Sequence, residues 1–188
     1  MTLRPIVVLS ALAVAIVQSA VLGWMVWDRV SLLERGREVV LQVLPIDPRD
    51  LFRGDYVILN YAISNAAIEG KDASDIRYYT PIYVMLAQQA DGTWQMLRAS
   101  TDRPETVGAD QVVMIGKVRH GARPRWGGNS RIAYGIEKFF VPEGKGLELE
   151  KLVREKKITV AIAVGANGKA ALKGLMVDGV LFYREPLF

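Results

Sequence analysis

The sequence predicts a mainly β (α+β) protein: one N-terminal transmembrane helix, then an antiparallel β domain carrying one or two short helices. Three observations predict it. An uncharged apolar run opens the chain, stretches of β-rich, alternating residues follow, and two turn dipeptides, Asp91-Gly92 and Asn167-Gly168, sit between apolar runs.

The run "PIVVLSALAVAIVQSAVLGWMVW", Pro5 to Trp27, is 23 residues long and carries no charge. At about 1.5 Å rise per residue, roughly 20 apolar residues cross the hydrocarbon core. Trp24 and Trp27 stand near its C-terminal end, where indole rings prefer the lipid–water boundary. A cleaved signal peptide fits less well. Its apolar region usually spans about 7–15 residues and ends at a small-x-small site, whereas Gln18-Ser19-Ala20 lies inside the run. Residues 1–29 are therefore expected to be an uncleaved anchor and residues 30–188 a β-rich domain. Arg29, Arg35 and Arg37 beyond the run outnumber Arg4 before it, so a bare count of basic residues would keep the domain inside. A short N-terminal tail whose anchor acts as the first signal commonly stays inside, and this sets the expectation: N-terminus in the cytoplasm, domain across the membrane.

The chain has 24 Lys+Arg and 20 Asp+Glu, and only Arg4 precedes Asp28. The rest of the chain is thus close to charge-balanced, which argues against nucleic acid as a partner. There are no Cys residues and a single His, His120. That removes disulfides, thiolate chemistry and Cys-ligated metal, and no cofactor or metal site is expected.

After the anchor, "DRVSLLERGREVVLQV" continues as helix and changes character at Gly36, with Val39, Leu41 and Val43 alternating along a first strand. "LPIDPRDLFRG" is a turn-rich connection. "DYVILNYAI" is a strand with Leu59, Tyr61 and Ile63 on its core face. "PIYVMLAQQADGTWQML" and "ITVAIAVGANGKAALKGLMV" are hairpins, "QVVMIGKV" and "RIAYGIEKFFV" are strands, and "PEGKGLELEKLVRE" has the pattern of a short helix. "IYVMLAQQADG" from Ile82 aligns without gaps to "ITVAIAVGANG" from Ile158. Two explanations stand open: an internal duplication of a strand–insert–hairpin unit, with halves at about 37–119 and 130–188, or the general likeness of any two hairpins.

"GDYVILNYAI", Gly54 to Ile63, carries Gly, Asp, Tyr, Leu, Tyr and Ile at fixed spacing. It resembles the motif that names the GDYXXLXYXI family of bacterial membrane-anchored proteins, and "PIDPRDLFRGDYV" and "YGIEKFFVPEG" extend the resemblance over most of the chain. The resemblance implies a place in the bacterial inner membrane with the C-terminal domain periplasmic, and a multi-pass membrane protein as partner. It implies no reaction, so no catalytic residue is carried over.

The residues themselves allow three chemistries near the motif. Signal peptidases set a nucleophilic Ser eight residues before a Gly-Asp pair; here that place is Ile46, and no acyl-enzyme forms without a hydroxyl. Asp47, Asp50, Asp55 and Glu137 could supply an acid–base pair, but Arg49 and Arg53 favour ionised neighbours. A turn and ion-pair network clamping the strand entrance accounts for the same residues. The candidate partner or ligand surface is Arg49, Asp50, Arg53, Gly54, Asp55, Tyr56, Tyr61 and Glu137. A second candidate is "KVRHGARPRWGGNSR", in which Lys117, Arg119, Arg123, Arg125, Trp126 and Arg131 could rest on anionic headgroups. The expected function is a non-catalytic extracytoplasmic subunit or binding module of a membrane assembly. The alternatives are an anchored hydrolase using carboxylates and a module that binds an envelope lipid or polymer.

Overall fold

The structure is a computed structural model that describes residues 5–44, 56–70, 76–120, 129–140, 155 and 158–184. A single long helix, α1 (Pro5–Arg35), leads into β1 (Arg37–Leu44). The strands β2 (Tyr56–Ile58), β3 (Asn60–Tyr61), β4 (Asn65–Ala66) and β5 (Ile68–Glu69) follow, then β6 (Pro81–Gln88) and β7 (Trp94–Ser100). The second half of the chain gives β8 (Gln111–His120), β9 (Ser130–Ala133), β10 (Lys138–Phe140), β11 (Ile158–Val164), β12 (Ala170–Val177) and β13 (Val180–Arg184). One sheet runs β13-β12-β11-β1-β3, the other β4-β9-β8-β6-β7-β5, and β2 pairs with β10. Every pairing is antiparallel except β5 with β7.

α1 is long and apolar enough to cross a membrane, and its apolar segment is wholly unburied by the rest of the protein. It extends beyond the expected anchor boundary, to Arg35, before the chain turns at Gly36. Its last turns are seated on the domain. Leu33 is buried, and Asp28 Oδ2 accepts from Lys169 Nζ at 3.4 Å. Gly36 is needed where it stands: a Cβ there would lie 2.4 Å from the Leu32 carbonyl oxygen and 2.9 Å from the Ala163 Cβ. Small residues on the outer face of β11, Ala161 and Ala163, let the helix end come this close.

Alternation decides which side chains form the core. Val39, Leu41 and Val43 of β1, Ile82, Val84 and Leu86 of β6, Met114 of β8, and Ile158, Val160 and Ile162 of β11 are buried in one cluster. Leu59, Tyr61 and Ile63 belong to it, as their spacing requires, with 2%, 0% and 2% exposure. The expected continuous strand is interrupted, however: β2 and β3 are separate, and Ala62–Ser64 forms one 3-10 turn. The reason is local, since Ser64 Oγ accepts the Tyr61 N–H at 3.3 Å and draws the chain round. The charged insert after it begins as the short strands β4 and β5. The expected helix over "PEGKGLELEKLVRE" lies outside the described residues except for Glu155.

Strand pairing repeats itself along the chain. Met85 faces Arg98 and Leu86 faces Met96 across a bulge; 76 residues on, Ala161 faces Gly174 and Ile162 faces Leu172 across the same bulge. The turns match as well. Gly92 N donates to Gln89 O and Gly168 N to Gly165 O, with both glycines at positive φ, 82° and 79°. This is the turn-plus-Gly geometry that closes a right-twisted hairpin. At a shift of 73, Ile58 facing Lys138 corresponds to Arg131 facing Asn65. Each sheet takes strands from both halves: β1 pairs with β11, and β4 pairs with β9.

Candidate functional site

β3 ends at Tyr61 and runs into Ala62-Ile63, and β9 ends at Ala133 and runs into Tyr134-Gly135-Ile136. Tyr61 donates its hydroxyl to the Ile136 carbonyl at 2.7 Å. Tyr134 donates its hydroxyl to the Ile63 carbonyl at 2.6 Å. Burial pushes both phenols above their usual pKa, and the negative charge of Glu137 adds to the shift. Beside Tyr134 the side chain three residues on caps the turn, as Ser64 does beside Tyr61: Glu137 Oε1 accepts from Tyr134 N. Glu137 Oε2 accepts from Gly135 N at 3.0 Å, and its carbonyl accepts from Leu59 N at 2.8 Å.

Tyr61 therefore corrects the expected partner surface. Its hydroxyl has a buried acceptor and its ring is wholly enclosed, so it is a core residue. Glu137 is half-buried, with both carboxylate oxygens engaged by backbone N–H groups. Tyr56 opens β2, where its backbone faces Phe140. Arg49, Asp50, Arg53, Gly54 and Asp55 lie outside the described residues, as do Arg123, Arg125 and Trp126. Lys117, Arg119 and Arg131 are described, and all three are exposed.

Arg119 is the centre of a cluster that neither expected surface contained in full. Its guanidinium sits 5.4 Å from the centre of the Tyr79 ring and 3.5 Å from the hydroxyls of Tyr78 and Tyr79. The two rings meet edge to face, 4.3 Å apart. Both tyrosines are more than half exposed, at 57% and 52%. The hydrogen bond from Arg119, and then that with Tyr79, lowers the pKa of Tyr78 from its usual value. The Tyr78 hydroxyl in turn favours the charged form of Arg119, with a smaller contribution from the field of Glu137. Residues from the two expected surfaces, Glu137 and Arg119, are thus within electrostatic reach of each other.

The position of the cluster follows from the pairing. Arg37 donates to the Gln111 carbonyl at 3.0 Å and stacks over Trp94 at 4.9 Å, so β8 and β7 begin beside the foot of α1. The other sheet's 165–169 turn is at that foot too. At about 3.4 Å per residue, β8 carries Arg119 on the order of 27 Å from Gln111. Tyr79 N donates to the Val118 carbonyl, which fixes the tyrosines at the same far end. Lys117, Arg119 and Arg131 consequently stand at the end of the domain opposite the anchor.

Clefts open at several places among the described residues. One of about 330 Å³ is lined by Tyr83, Arg103, Glu105, Gln111 and the Gly165–Gly168 turn. A second, about 260 Å³, lies over Leu41, Tyr61 and Trp94. The third, about 360 Å³, lies between Asp28, Arg35 and Lys169 at the anchor's foot. None of the three is lined by two carboxylates. Among the described residues no three His, Asp or Glu side chains gather as metal ligands do.

Tyr78, Tyr79 and Tyr134 were missed from sequence. "RYYT" before Pro81 offered a signal, an aromatic pair beside a basic residue in a connection; "YAI" and "YGI" offered the other, a repeated Tyr-x-Ile. The GDYXXLXY family model matches residues 18–175 of the chain, so the chain belongs to that family. No curated protein and no solved structure matches it significantly.

Proposed function

We propose that this member of the GDYXXLXY family is a single-pass anchored protein of the bacterial inner membrane whose β domain stands on the periplasmic side as a non-catalytic subunit of a membrane assembly. The observation that carries this reading is the joint between anchor and domain. One residue, Gly36, separates α1 from β1. Leu33 and the Asp28–Lys169 pair then hold the helix end to the β11–β12 hairpin. A tethered enzyme that samples a wide volume uses a long flexible linker. A domain clamped to its helix presents one surface at a fixed height, which suits a permanent neighbour in the same membrane. The apolar, unburied face of α1 supplies a helix–helix contact to a multi-pass partner.

The acid–base alternative loses support at Glu137, because capping Tyr134 and Gly135 occupies the carboxylate. The repeated pairing supports reading the domain as an internal duplication, and it favours copies through residues 37–100 and 110–177, with β8 in the second copy, in place of the expected halves at 37–119 and 130–188.

Co-purification from native membranes in mild detergent tests the subunit reading. Wild type is compared with an Arg53→Ala/Asp55→Ala variant. A multi-pass protein recovered in near-equal amount and lost in the variant supports the reading and the motif as interface. Recovery of no membrane protein above background overturns it. A periplasm-active reporter fused after Phe188 tests the orientation, and an inactive reporter on a stable fusion would reverse it.

A further inference from the structure

Two non-glycine residues among those described have positive φ, Asp178 and Tyr79, and Tyr79 is the bulky one. Its φ is 69°, in the left-handed region that bulky L-residues rarely adopt. The conformation is enforced from both sides: Tyr79 N donates to Val118 O at 2.8 Å, Thr80 N to Arg77 O at 3.1 Å, and Arg77 N to Thr80 Oγ1 at 3.0 Å. Gly or Asn would take this turn with little strain. A tyrosine held there against its backbone preference, more than half exposed, with its ring under a guanidinium, is kept for what its side chain does.

What it does follows from the groups around it. The Tyr78 and Tyr79 hydroxyl oxygens accept from Arg119, and the two hydroxyls also hydrogen-bond to each other, which leaves one O–H to donate outward. Lys117 lies two residues before Arg119 on the same exposed side of β8, and Arg131 stands across the ladder, opposite His120. Three exposed cations and the phenolic pair make a surface rich in hydrogen-bond donors. A carboxylate presents two oxygens; a phosphoryl group presents three and carries more charge. β8 is an interior strand, paired on both sides, so no backbone edge is free there to grip a peptide strand. The site also lies at the end of β8 away from Arg37, which stands at the foot of α1.

We propose that Tyr78, Tyr79, Lys117, Arg119 and Arg131 form a binding site for phosphoryl groups of a non-lipid ligand. The site deepens the reading of the domain as a binding module and does not require the multi-pass partner, so either can fail alone.

The test uses the full chain in neutral detergent. Calorimetric titration with inorganic tripolyphosphate is compared with acetate at matched ionic strength and with the soluble anionic lipid dihexanoyl phosphatidylglycerol. Saturable tripolyphosphate binding is expected, weakened about tenfold or more by Arg119→Gln, the scale of one lost charge-assisted hydrogen bond. Tyr79→Gly is expected to weaken binding while leaving the melting midpoint unchanged or higher, since it removes the strain. No saturable binding, equal binding of acetate, or binding of the lipid alone overturns the proposal. So does full affinity in Arg119→Gln or Tyr79→Gly.

Discussion

Tyr61 and Tyr134 each donate a hydroxyl to the carbonyl two residues beyond the other tyrosine, Tyr61 to Ile136 and Tyr134 to Ile63, at 2.7 and 2.6 Å. The exchange locks the motif strand to its counterpart in the second half of the chain. It gives a structural purpose to the second Tyr of the family motif.

Replacing either tyrosine by Phe leaves a buried carbonyl without its donor. Each of Tyr61→Phe and Tyr134→Phe is expected to cost about 1–3 kcal/mol of stability. Because the two positions are equivalent, the losses should be of similar size. Denaturant unfolding of the full chain in detergent measures both, and a silent Tyr61→Phe would remove the clasp from the account of the motif.

The same phenols set an alkaline limit. Their folded pKa values lie above the ordinary 10.0, first through burial and then through Glu137. The folded state therefore keeps protons that the unfolded state gives up. Stability from this source is complete below about pH 10 and falls as pH rises past it toward the folded pKa values. Unfolding midpoints followed from about pH 8 to 11 should be level and then decline, and Tyr61→Phe should flatten the decline.

Glu137 and Ser64 do the same work with different reach. Ser64 satisfies one backbone N–H and Glu137 satisfies two. Glu137→Ala should cost about 1.5–3 kcal/mol, the range of hydrogen bonds to a charged group, and Ser64→Ala about 0.5–1.5 kcal/mol. Thermal melts of the two variants check the order, and a larger loss at Ser64 would contradict it.

Gly36 governs the joint. Gly36→Ala places a Cβ 2.4 Å from a backbone oxygen, so the helix end or β11 must shift. Hydrogen exchange at residues 30–40 should quicken, and recovery of any membrane partner should fall with it. Unchanged exchange would mean that the anchor and domain are not rigidly coupled.

Tyr79→Gly bears on strain alone. Relief of a left-handed non-glycine residue is expected to raise stability by about 1 kcal/mol, partly offset by the flexibility Gly adds to the unfolded chain. Chemical denaturation reads the net change, and a clear loss of stability would show that the tyrosines serve packing.

The sequence by itself determined the elements whose signals are local. An uncharged run longer than a bilayer core needs a helix, so α1 was legible. Asp91-Gly92 and Asn167-Gly168 close their hairpins because Gly supplies the positive φ and the Asp or Asn side chain accepts the N–H two residues on. Leu59, Tyr61 and Ile63 were legible as core because alternate residues share a face. Tertiary structure decided the rest. The "YAI" and "YGI" repeat stands 73 residues apart and the hairpins 76, so no single shift aligns both. Their relation appears only when β1 pairs with β11 and β8 with β6, each sheet borrowing from the other half. The partner of the Tyr61 hydroxyl was not legible, because nothing local reveals that a carbonyl 75 residues away waits for it. Tyr78, Tyr79 and Arg119 are separated by about 40 residues of chain, and antiparallel pairing of β6 with β8 brings them to one place. Hydrogen bonds and burial depend on partners that are remote in sequence, and residue spacing carries no record of them.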